Sequence, residues 1–126
     1  MERLFWICLG GATGTAARYG IGVWAAGRFA GGLPAGTILV NLIGCFAMAL
    51  IMALSAAFEW SATVRLALTV GLMGGFTTYS SFNYETSRLL LEGASGTAAL
   101  NVLITTVGGL AAGWLGLLGG RLLVGH

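Results

Sequence analysis

Read for its hydrophobic and polar positions, the chain is a series of long apolar stretches punctuated by isolated charges. Uninterrupted stretches cover 29–58, 66–84 and 93–120, and each meets or approaches the ~20 residues a helix needs to cross ~30 Å of hydrocarbon. They place helical spans at about 36–57, 64–90 and 97–121. The amino-terminal stretch between Arg3 and Arg18 is shorter and rises only about 21 Å at ~1.5 Å per residue. It fits either a signal peptide ending near Thr15-Ala16-Ala17 or a longer span over about 4–28 that carries Arg18 within it. The longer span is the better reading, because the chain stays apolar beyond Tyr19 and Arg28 then serves as an interfacial anchor. Holding Arg18 at depth costs about 2.5–3.5 kcal/mol on insertion scales, so it should face a partner or a wet cavity. Period-two alternation is absent, which argues against a β-barrel. The pattern therefore predicts an all-α integral membrane protein: one domain, 1–126, of four transmembrane helices, with both termini on the same side.

Composition sharpens the class. Of the residues, 57% are hydrophobic and 8% charged, and mean hydropathy is +0.91. A soluble domain usually carries about 25% charged residues, so soluble enzymes and nucleic-acid binders are excluded as leading readings. The charged residues are four Glu and six Arg, with no Asp or Lys. The arginines are scattered singly and form no patch able to track a phosphate backbone. The positive-inside rule also finds little to act on. Arg3, Arg65 and Arg121 fall on the terminal side, Arg28 and Arg88 on the other, and Arg18 leans toward the latter. Balanced charge is compatible with insertion in both orientations, for which the simplest closed assembly is a twofold dimer with its axis in the membrane plane. Cys8 and Cys45 read as small buried hydrophobes and His126 as a solvated terminus. No Ser/His/Asp set, metal-ligand cluster or phosphate loop is present, so the chain does not read as an enzyme.

Candidate chemistry concentrates in the third span, Gly71-Leu72-Met73-Gly74-Gly75-Phe76-Thr77-Thr78-Tyr79-Ser80-Ser81-Phe82. Paired glycines followed by hydroxyl residues weaken a helix, and freed backbone groups in hydrocarbon need compensation. Exposed carbonyls suit a hard monovalent cation; freed amides and hydroxyls suit a small anion. A continuous helix using Gly74 and Gly75 for close packing explains the same residues. Tyr79 and Phe82 fall on one helical face, where ring edges carry partial positive charge. Asn41 brings an amide into the second span; Asn101, Thr105 and Thr106 add polar groups to the fourth, so that with Ser80 and Ser81 a polar stripe can form. Gly109-xxx-Gly113 and Gly116-xxx-Gly120 read as packing. Glu85 either guards a pore mouth or pairs with an arginine.

These residues resemble the Fluc (CrcB) family of fluoride channels. Gly10-Gly11-Ala12-Thr13-Gly14 with Ala17-Arg18-Tyr19 is similar to the family's opening motif, Gly36-Thr37 with Val40-Asn41 and Gly44 to its second, and the run from Gly74 to Phe82 to its third. The resemblance implies an antiparallel, dual-topology homodimer in the bacterial inner membrane that exports fluoride passively and relieves its toxicity, with the third helix broken at mid-membrane. It also implies a structural Na⁺ held at the dimer centre by backbone carbonyls, here those of Gly74 and Thr77. A fluoride pathway would run past Asn41, Tyr79, Phe82, Ser80, Ser81, Thr105, Asn101 and Glu85, with Arg18 at the vestibule. Family members typically carry Phe where this chain has Tyr79, and Thr where it has Ser81. The competing reading is a proton-coupled small multidrug exporter of dual topology, which would need an acid in the first span; none is there.

Overall fold

The computed structural model describes residues 1–29 and 31–125, so His126 lies outside the described residues. Every regular element in it is helical. The first helix, α1 (Glu2–Arg28), is continuous through Arg18, with an acid in its first turn and Arg28 in its last, each complementing the helix dipole. After Pro34 the chain enters α2 (Ala35–Ala57). A left-handed turn at Glu59 and a cap in which Ser61 Oγ accepts the Val64 N–H at 3.3 Å then start α3, which covers 62–76. Next come α4 (Tyr79–Leu91), a turn through left-handed Gly93, and α5 (Ser95–Val124).

Two helices, α2 and α5, are long and apolar enough to cross a bilayer by themselves. The other two spans expected from the sequence are not of that kind: α1 carries charge within its length, and the third is divided into α3 and α4. Both α3 and α5 contain a turn wound wider than an α-helix, at Ala67–Met73 and Ile104–Gly108. In the first of these the Gly74 N–H reaches back five residues to the Thr69 carbonyl.

Glycines set how the helices meet. Along the seam of α1 with α3, a side chain at Gly10 or Gly14 would run into the Ala67 or Leu72 carbonyl, and one at Gly71 or Gly75 into the Ile7 or Gly11 carbonyl. Two small-xxx-small stripes thus press backbone on backbone. Between α2 and α5, Gly116 lies on the Phe46 carbonyl and Gly120 on the Ala53 methyl, so the glycines of the last helix do serve packing. A small core of Val40, Met73 and Phe76 joins α2 to α3. Much of the remaining apolar surface is open, including Leu110, Trp114 and Leu122. Cys8 and Cys45 are exposed on this chain and not buried as expected. An apolar sequence context marks a helix as membrane-like but does not say which of its faces is covered.

Candidate functional site

The winding that began at Ala62 ends at Thr77 and Thr78, whose backbones are extended (φ −82°, ψ 156° and φ −151°, ψ 109°). The glycine pair is not the point of interruption. Gly74 keeps helical angles (φ −62°, ψ −39°), and Gly75 is fixed by its contact with α1. What holds the opening is Asn41. Its Oδ1 accepts the Thr78 N–H at 2.9 Å and its Nδ2 donates to the Thr78 carbonyl at 3.1 Å, so one side-chain amide satisfies both polar groups of an extended residue. Gly44, one turn further along α2, leaves room for the Thr77 methyl.

Thr78 then caps α4. Its Oγ1 accepts the Ser81 N–H at 3.2 Å and donates to Ser81 Oγ at 3.0 Å, with Ser80 Oγ 3.3 Å away. These bonds have a consequence upstream. In an unbroken α-helix the Thr78 N–H would go to the Gly74 carbonyl and the Ser81 N–H to that of Thr77. Both amides are diverted, to Asn41 Oδ1 and Thr78 Oγ1, so those two oxygens lose their usual helical donors. Gly74 and Thr77 therefore present carbonyls without their usual helical donors, the ligand type a hard cation such as Na⁺ takes. No cluster of three or more His, Cys, Asp or Glu occurs among the described residues, so a softer metal has no such set.

Beside the opening lies an open groove of about 820 Å³ lined by Asn41, Thr77, Tyr79, Phe82, Thr105 and Thr106, with Cys45, Leu110 and Trp114 along its apolar flank. Tyr79 is 79% exposed and Phe82 9%, their ring centroids 5.6 Å apart at 54°. Phe76 belongs to the core instead. Of the other residues named from the sequence, Ser81 and Glu85 line a second cavity of about 490 Å³ with Tyr84 and Arg88, and Ser80 is exposed beside Thr78. Glu85 Oε1 accepts the Thr37 hydroxyl at 2.8 Å, while its Oε2 is buried without a partner among the described residues. Among the described residues no salt bridge joins Glu85 to an arginine, and Arg88, in the same cavity, bridges to Glu92 at 3.4 Å. Arg18 is half-buried on α1, away from these cavities and from any carboxylate among the described residues.

Asn101 does not reach the groove. It is fully buried, with Nδ2 donating to Thr86 Oγ1 at 2.9 Å and Oδ1 facing the Thr105 hydroxyl at 3.4 Å. Sequence reasoning missed three participants: Thr37, Thr78 and Thr86. Thr37 and Thr86 lie within helices, where the ordinary expectation is a hydroxyl bonded back to its own helix, and Thr78 lies in the extended break between two helices.

The model of the family described as CrcB-like protein, Camphor Resistance (CrcB), matches residues 5–117. A relative from Sorangium cellulosum is 50% identical over 98% of each chain, and one from Anaeromyxobacter dehalogenans is 48% identical over 99% of this chain and 100% of its own. A third, from Thermus thermophilus, is 42% identical over 99% of this chain and 98% of its own. All three carry the name fluoride-specific ion channel FluC.

Proposed function

The chain belongs to the CrcB-like (Fluc) family, and on that premise we propose that it is a fluoride channel that lets fluoride leave a bacterial cell passively through the inner membrane. One observation carries the reading: Asn41 props the backbone open at Thr78, beside a groove whose lining includes Tyr79, Phe82 and the threonines at 77, 105 and 106. Fluoride is small and strongly hydrated, so it must exchange water for closely spaced donors in a constriction too narrow for larger halides. Asn41 uses one N–H on Thr78 and keeps the other. Ser80, Ser81 and Thr105 add hydroxyls, and the first turn of α4 adds the positive end of a helix dipole. Tyr79 and Phe82 present ring edges that attract an anion without holding it tightly. Thr37 and Glu85 continue the polar track, while Arg18 lines none of the cavities and is given a vestibule role by the family resemblance alone.

The working unit in this proposal is an antiparallel homodimer of dual topology, with the opening at Thr77–Thr78 near the bilayer midplane. Its support is the near-balance of arginines on the two sides and the apolar flank that one chain leaves uncovered. Gly74 and Thr77 would hold Na⁺ through their carbonyls, facing the twofold axis; when bound, the ion supplies fixed positive charge that ties the two copies together. Nothing favours the multidrug-exporter alternative, because α1 places Arg18 within its length and its one acid, Glu2, only in the first turn.

Purified protein in liposomes should release fluoride electrogenically, as read by a fluoride electrode, while chloride stays inside. Equal release of both ions, or of neither, overturns the proposal.

A further inference from the structure

The threonine hydroxyls differ in the partner they take. Thr13, Thr69, Thr77 and Thr86 each donate to the carbonyl four residues back, at 2.7–2.9 Å. Thr105 does not. It stands in the wide turn Ile104–Gly108, and its hydroxyl meets the Asn101 side chain at 3.4 Å, the edge of hydrogen-bonding distance.

The sense of every bond in this network is fixed. A carbonyl only accepts, so the Thr86 hydroxyl donates to Phe82, leaving its oxygen to accept from Asn101 Nδ2. That turns Oδ1 toward Thr105, which must be the donor. Thr105 therefore shows the groove its oxygen while its hydrogen points back to Asn101, although Thr105 lines the groove and Asn101 is wholly buried behind it.

Resting on the channel reading above, we infer that Asn101 is a positioning residue: it holds the Thr105 hydrogen in a weak bond from which an anion in the groove can take it. An ionised acceptor forms the stronger bond, so the hydroxyl turns to the anion. The exchange leaves Asn101 Oδ1 buried without a donor, and that opposing penalty keeps the anion from being held too long. When the anion leaves, the hydroxyl returns to Oδ1.

The test compares Asn101→Leu, Thr105→Val and the double variant as full-length protein in liposomes, measuring fluoride efflux against internal fluoride concentration. With Oδ1 gone nothing competes for the hydrogen, so Asn101→Leu should lower the half-saturating concentration about threefold to tenfold, the worth of one neutral hydrogen bond. In the Thr105→Val background the same substitution should shift nothing, and in Thr105→Ser, which keeps the hydroxyl, the shift should return. A residue that merely clamps α4 to α5 would alter both backgrounds alike; that result, or no shift in the wild-type background, overturns the inference. Should Asn101→Leu not elute as folded protein, Thr86→Val, which frees the amide to turn, gives the same comparison. A wild-type protein that passes no fluoride removes the channel reading and this inference together, whereas wild-type flux with equal shifts removes the inference alone.

Discussion

Asn41 is the residue on which the opening depends, because it alone serves both polar groups of Thr78. Replacing it with Leu strands a buried N–H and C=O at about 1–3 kcal/mol each, so Asn41→Leu should lower the melting temperature in detergent and abolish fluoride efflux. Asn41→Asp keeps the acceptor for the Thr78 N–H but loses the donor and adds negative charge. It should melt closer to wild type and still lose at least about tenfold in flux, since like charge beside the path repels the anion. The rings separate in the same way. Phe82→Ile should cripple efflux while the elution volume stays unchanged, whereas Tyr79→Phe, which keeps the 5.6 Å ring pair, should conduct. Of these residues, Asn41 could be singled out in the sequence as an amide within an apolar helix. Its partner could not, because Thr78 lies 37 positions away and nothing local in the chain joins the two.

At the scale of elements, the glycines do two jobs that sequence treats as one. The run from Gly74 to Ser81 reads as a place where helix weakens, and weakness suggests its glycines as the point of failure. In the fold, Gly75 stays helical with its missing side chain facing the Gly11 carbonyl, and the interruption falls at Thr77–Thr78, where Asn41 can reach. Gly75→Ala should therefore destabilise the α1–α3 seam, because backbone would have to shift. Gly119→Ala meets nothing within 4 Å and should be neutral, or gain up to about 1 kcal/mol of helix propensity. Thermal melts of the two variants in the same detergent check the contrast. The wide turns in α3 and α5 had no sequence signal, since an i→i+5 bond follows from how a helix is pressed against its neighbours and not from residue type.

For the whole molecule, a single chain leaves the Leu110 and Trp114 flank of the groove uncovered and the Gly74 and Thr77 carbonyls without their usual helical donors, features that a second copy and a cation would satisfy together. Light scattering in detergent should give twice the monomer mass. Replacing Na⁺ by a bulky organic cation during purification should reduce fluoride flux, and restoring Na⁺ should recover it. Gly74→Ala extends the same argument: within one chain the added methyl comes no closer than 3.9 Å to the Thr69 carbonyl. Loss of dimer or flux in that variant would report on what lies beyond the chain. By itself the sequence determined the helical, membrane-like character of this protein and its kinship, since both rest on composition and on motifs contiguous along the chain. Which threonine caps which helix, which carbonyls lose their helical donors and which amide stands behind the groove were decided only in three dimensions. Hydrogen bonds between helices depend on how closely two backbones approach, and that distance belongs to the packing of the fold and not to any one segment.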